Sequence, residues 1–161
     1  MVPVIAMMAL QNGPTPVPAE SKQFDFWVGE WNAKGKSAGA NNTWQDTTAT
    51  NSIKRVMGGH AVQESFKMGQ FVGSSWSVYD PGHKVWKQTW VDNQGGYIDL
   101  VGGFEDGKMT LTTLPDNVHP KARNRMVFSN ITAKEFDWDW EGSRDSGETW
   151  KLQWHLHYTR K

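Results

Sequence analysis

The sequence predicts an all-β fold, a single antiparallel barrel of about ten strands with a short N-terminal helix across one mouth. From Glu30 onward, apolar and polar residues alternate with the two-residue period of half-buried strands. Gly58-Gly59, Pro81-Gly82, Gly95-Gly96 and Asp106-Gly107 interrupt that alternation where tight turns belong. Beyond the first turns of chain, almost nothing carries a helical period. Regular strands joined by short turns fit a meandering antiparallel barrel or sandwich. Closure into a barrel removes the exposed edges that so many strands otherwise create.

In chain order, residues 2–10 form an apolar run too short to span a bilayer. Gly13-Pro14-Thr15-Pro16-Val17-Pro18 follows as an extended linker. Residues 1–20 therefore read as a remnant of a secretory signal, lacking the basic leading segment, plus a Pro-rich linker. Residues 21–161 read as the barrel domain. A periplasmic or secreted location is expected, with the cytoplasm as the alternative. Ser21-Lys22-Gln23-Phe24-Asp25-Phe26-Trp27 reads as a short helix capped by Ser21 and stopped at Gly29, its aromatics plugging one barrel end. Strands are expected at 31–36, 43–56, 61–68, 72–79, 85–92, 97–104, 109–114, 123–131, 136–141 and 150–159.

Composition narrows the function. The 161 residues fit one domain, and 17 basic residues cancel 17 acidic ones without a charge run. Nucleic acid, anionic membrane surfaces and stable membrane insertion are disfavoured as modes of action. Without cysteine there is no disulfide, thiolate metal site or thiol nucleophile. No Gly-x-Ser-x-Gly elbow, phosphate loop or His-Glu-x-x-His helix is present. Ten tryptophans either fill a core or line a ligand site, where indole supplies flat apolar area with one donor.

Along 85–92, Trp86, Gln88, Trp90 and Asp92 share one face, with Lys87 and Thr89 opposite. Aromatics broken by an amide and an acid read as a cavity wall. If Asp92 pairs with Tyr97 across the next turn, Trp90 faces Asp99 and all four point inward. Ser75, Ser77 and Tyr79 fall beside Trp90, Gln88 and Trp86. Further mixed faces are Val62-Glu64-Phe66, Arg123-Arg125-Val127, Phe136-Trp138-Trp140 and Trp150-Leu152-Trp154-Leu156-Tyr158. The expected ligand-binding residues are Glu64, Phe66, Tyr79, Trp86, Gln88, Trp90, Asp92, Tyr97, Asp99, Arg125, Trp138, Trp140 and Trp154. A buried carboxylate is costly unless paired, so a Glu64–Arg125 or Asp99–Arg125 ion pair is expected. Glu64, desolvated by Val62 and Phe66, is the candidate for proton transfer. His155 and His157 share a face with Lys151, Gln153 and Thr159, opposite the aromatic one, which places them outside; no metal site is expected.

Three stretches together resemble a bacterial family of small lipocalin-like (calycin-type) barrels of unknown function. They are Phe24-Asp25-Phe26-Trp27-Val28-Gly29-Glu30-Trp31, then Tyr79-Asp80-Pro81 running into Trp86-Lys87-Gln88-Thr89-Trp90-Val91-Asp92, then Ser143-Arg144-Asp145-Ser146-Gly147-Glu148-Thr149-Trp150. The resemblance implies a barrel with a central cavity, and a tryptophan, here Trp31, packed across its closed end. It brings no established reaction. The third stretch is also similar to the Asp-box, which implies that Asp145 pins a hairpin turn. The expected function is binding of a mainly apolar or aromatic small molecule in a Trp-rich cavity. The alternatives are a small isomerase- or cyclase-like enzyme moving a proton through Glu64, Asp92 or Asp99, and haem binding through His155 or His157, as in the similar nitrobindin barrels. No cofactor other than haem is suggested.

Overall fold

The computed structural model describes residues 15–161; the apolar run at residues 2–10 lies outside them. A 3-10 helix at Ala19–Phe24 comes first. Ten strands follow: β1 (Gly29–Ala38), β2 (Trp44–Val56), β3 (Ala61–Met68), β4 (Phe71–Asp80), β5 (Val85–Asp92), β6 (Tyr97–Glu105), β7 (Lys108–Thr113), β8 (Arg123–Ser129), β9 (Glu135–Ser143) and β10 (Lys151–Arg160). Each pairs antiparallel with its neighbours in sequence, and β1 also pairs with β10, closing the barrel. Alternation decides the inner face: Trp31 and Ala33 on β1, Val62 and Phe66 on β3, and Leu156 and Tyr158 on β10 are all buried.

The helix closes the end of the barrel where β1 begins. Ser21 is not its cap. Pro18 occupies that position without a side-chain hydrogen bond, and Ser21 is buried within the helix. Phe24 meets Trp86 edge-on at 4.7 Å, and Trp27 and Phe26 pack on Phe128. Arg55 ties the helix to β2, with Nε donating to Asp25 Oδ1 at 2.9 Å and Nη2 to the Ser21 carbonyl. Trp31 is buried at this end, its Nε1 donating to the Trp27 carbonyl at 2.8 Å. The Arg160 guanidinium lies 4.2 Å over the Trp31 ring and donates to the Val28 carbonyl at 3.0 Å.

Three stretches depart from the phase expected of them. Between β5 and β6, Asp92 Oδ1 accepts from the backbone N–H groups of Gln94 and Gly96, both at 2.9 Å, and Gly95 takes φ +82°. The turn thereby absorbs Asp92, and Val91 rather than Asp92 pairs with Tyr97. A shift of one residue exchanges the two faces. Ile98 and Leu100 face inward, while Tyr97, 67% exposed, and Asp99 face solvent instead of the cavity. On β8 the apolar Met126 and Phe128 take the inner face, which puts Arg125 outside. There its Nε donates to Glu141 Oε2 at 2.5 Å, and its guanidinium lies 4.1 Å over the Trp150 ring. The expected Glu64–Arg125 and Asp99–Arg125 pairs therefore do not form. On β10 a bulge between Leu152 and Trp154 keeps Trp154, Leu156 and Tyr158 in phase with the cavity and removes Trp150 and Leu152 from that face.

The turn from β9 into β10 is braced by side chains. Ser143 Oγ donates to Asp145 Oδ1 at 2.6 Å, and Thr149 Oγ1 donates to Asp145 Oδ2 at 2.5 Å. These bonds, Ser143's foremost, hold the Asp145 carboxyl far below the usual carboxylate range.

Candidate functional site

The barrel encloses a cavity of about 210 Å³ between the helix-plugged end and the opposite, partly open end. Trp90 on β5, Trp138 and Trp140 on β9, Trp154 on β10, and Phe66 and Phe71 flanking the β3–β4 turn line it. Trp27, Leu100, Met126, Phe128, Leu156 and Tyr158 complete it, with Ile98 beside Trp90. Trp138 and Trp140 lie within 13° of parallel at 6.3 Å, while Trp154 stands perpendicular to Trp138 at 5.4 Å. Such offset and edge-to-face arrangements suit the ring quadrupoles.

Close backbone approach makes room for this wall. Gly73 on β4 pairs with Asp92, and a Cβ there would lie 2.1 Å from the Trp90 ring. Only glycine lets the indole lie across β4. The Trp90 Nε1 donates to Asp92 Oδ2 at 2.9 Å. That bond, with those from Gly96 and Gln94, lowers the Asp92 pKa, so Asp92 lines the cavity as a carboxylate already engaged in its own turn.

Glu64 is the other acid on the wall, and its surroundings differ. It sits mid-strand on β3, 7% exposed, opposite Ile53 on β2 and Ser75 on β4. Asn51 Nδ2 donates to Oε1 at 2.6 Å, and Ser75 Oγ donates to Oε2 at 2.6 Å. Asn51 also reaches Tyr158 Oη at 3.4 Å. Glu64 has no ion-pair partner among the described residues, and the cavity lining contains no Lys, Arg or His. Burial pushes the Glu64 pKa up from its ordinary 4.5, against the two donors that favour the ionised form. Burial, and then the charge on Glu64, push the Tyr158 phenol up as well.

Of the residues expected from sequence, the cavity gathers Glu64, Phe66, Trp90, Asp92, Trp138, Trp140 and Trp154. Trp86, Tyr79 and Gln88 point to the same inner side but sit outside the cavity lining. Trp86 donates to Gln23 Oε1 at 2.9 Å beneath the helix and meets Tyr79 at 5.8 Å, while Gln88 Nε2 donates to Ser77 Oγ at 2.8 Å. Tyr97, Asp99 and Arg125 lie on the outer wall. Asn51, Ser75 and Tyr158, which surround Glu64, were not among the expected site residues. Their signal is the inward phase they share with Ile53, Ser77 and Leu156. His155 and His157 lie outside, with Nδ1 atoms 2.6 Å from Asp139 Oδ1 and 2.7 Å from Asp137 Oδ1. Among the described residues, no histidine borders the cavity. Among the described residues, no cluster of three metal-ligating side chains occurs, and no helix is long and apolar enough to cross a membrane.

The closed ten-stranded antiparallel barrel, with one end plugged and a cavity inside, is a fold found in other solved structures. Three solved structures share this fold at low sequence identity. Rv2717c from M. tuberculosis superposes with a TM-score of 0.63 at 10% identity, over 91% of this chain and 99% of that one. A protein of unknown function from the DUF3598 family of Nostoc punctiforme gives 0.59 at 13%, over 94% of this chain and 54% of that one. The S-type phycobiliprotein lyase CPES from Guillardia theta gives 0.57 at 13%, over 92% and 98%. No family model matches the chain, and no curated protein matches its sequence.

Proposed function

We propose that this protein is a small-molecule-binding barrel that holds a mainly aromatic or apolar ligand among its indoles, with the ligand's polar end at Glu64. One observation carries the reading: an aromatic cavity, open at one end, whose wall includes a buried carboxyl with no cation beside it. A dry cavity of about 150 Å³ accommodates benzene. At about 210 Å³ this one suits a ring with a short polar arm. The likeness to a phycobiliprotein lyase supports a bilin-like ligand as the larger candidate. A four-ring bilin exceeds the cavity, so it would enter by one end only.

A tryptophan-fluorescence screen of one- and two-ring compounds tests the proposal. Saturable quenching is expected, lost when Ile98→Trp fills the space beside Trp90 while the far-UV circular dichroism is unchanged. Absence of any saturable ligand, or binding indifferent to Ile98→Trp, contradicts it. The same buried carboxyl supports a second reading, proton transfer on a bound substrate. In that case Glu64→Gln abolishes turnover and leaves binding in place. The outer-wall position of His155 and His157 gives haem binding no comparable support.

A further inference from the structure

Glu64 stands in an unresolved electrostatic conflict. Both of its oxygens receive hydrogen bonds, from Asn51 on β2 and Ser75 on β4, an arrangement that favours the carboxylate. Its burial opposes that charge. The facing groups do not settle the conflict. Tyr158 on β10 is a neutral phenol, Asp92 on β5 is a second acid, and no base borders the space. An anionic ligand would add negative charge to a wall that already carries two acids, Glu64 and Asp92. A cationic ligand would supply the partner that Glu64 lacks.

We propose that the ligand is an amine carrying an aromatic or compact apolar group, its ammonium seated on Glu64 and its apolar part among the indoles. This rests on the binding reading given above and names the ligand class for the same site. Aromatic walls favour the same choice, because the ring quadrupole attracts ammonium, indole most strongly, and more so in a desolvated site. Trp138, Trp140 and Trp154 supply the indoles on the β9–β10 side, and Trp90 on the β5 side. Size agrees: a phenyl ring with a two-carbon arm is slightly larger than the benzene that fills a cavity of about 150 Å³.

Isothermal titration calorimetry at pH 7 with phenethylamine, phenylethanol and phenylacetate tests this on the intact chain and on Glu64→Gln. Phenethylamine is expected to bind at least about tenfold more tightly than phenylethanol, with phenylacetate weakest. Its affinity should fall as the pH is lowered and Glu64 takes up a proton. Binding heats measured in two buffers of different ionisation enthalpy should reveal proton release. In Glu64→Gln the preference for the amine should vanish while phenylethanol binds as before. If phenylethanol matches the amine, the amine assignment is wrong; if the preference survives Glu64→Gln, the ammonium does not sit on Glu64; in either case the cavity still binds. If none of the three binds, both readings fall. Should Glu64→Gln fail to fold, the ranking on the unaltered protein decides.

Discussion

Glu64 gains its character from neighbours that are individually ordinary: Val62 and Phe66 two positions away on its own strand, Ser75 across one ladder and Asn51 beyond the other. Because its folded pKa is raised above the ordinary 4.5, the native state holds the Glu64 proton more tightly than the unfolded chain does. Its contribution to stability is complete below pH 4.5 and is lost as the pH rises through the folded value. Urea melts at pH 5 and pH 8 should show the decline, and Glu64→Gln, which can keep both hydrogen bonds, should remove that component. A decline unchanged in Glu64→Gln would assign it to other groups. Gln88 behaves differently. It is buried, bonded to Ser77 and set apart from the cavity lining, so Gln88→Leu should cost about 1–3 kcal/mol by stranding Ser77. Ligand preference should be unaltered; a change in preference with no loss of stability would place Gln88 on the cavity after all. The inward phase of Glu64 and Gln88 was legible because each sits between residues of matching character at i±2. Arg125 was misplaced because its face was read as mixed, when the alternate face, Met126 and Phe128, is the more apolar of the two.

At the scale of elements, the β4–β5 hairpin was legible in full. Ser75, Ser77 and Tyr79 pair with Trp90, Gln88 and Trp86 as their spacing predicts. The β5–β6 hairpin was not. A side chain, the Asp92 carboxylate, sets its turn, and a register that depends on such a bond cannot be read from alternation alone. The bulge in β10 escapes the sequence for a similar reason: Leu152 and Trp154 keep the expected spacing, and only the pairing with β9 reveals the extra residue. The close packing of β4 under Trp90 gives a direct test. Gly73→Ala should displace the indole, altering tryptophan emission and lowering the melting temperature, because the new Cβ falls 2.1 Å from the ring. An unchanged spectrum and melting temperature would show that Trp90 does not lie across Gly73.

Across the whole molecule, closure and plugging divide the interior into two zones. Near the helix, Phe24, Trp86, Phe128 and Phe136 pack as a filled core. Towards the other end the aromatic rings line the cavity rather than fill it, with Glu64 on its wall. Composition announced a tryptophan-rich interior, but not where filling stops, since that depends on how far the helix reaches into the barrel. A crystal structure of the protein soaked with indole, a neutral probe that assumes nothing about charge, measures this division directly. Indole should occupy the space bordered by Trp90, Trp138, Trp154 and Glu64, with the barrel backbone unmoved. Indole found only on the outer wall, or side chains collapsed into a space too small for one ring, would show that the barrel is filled and that Glu64 is no binding group.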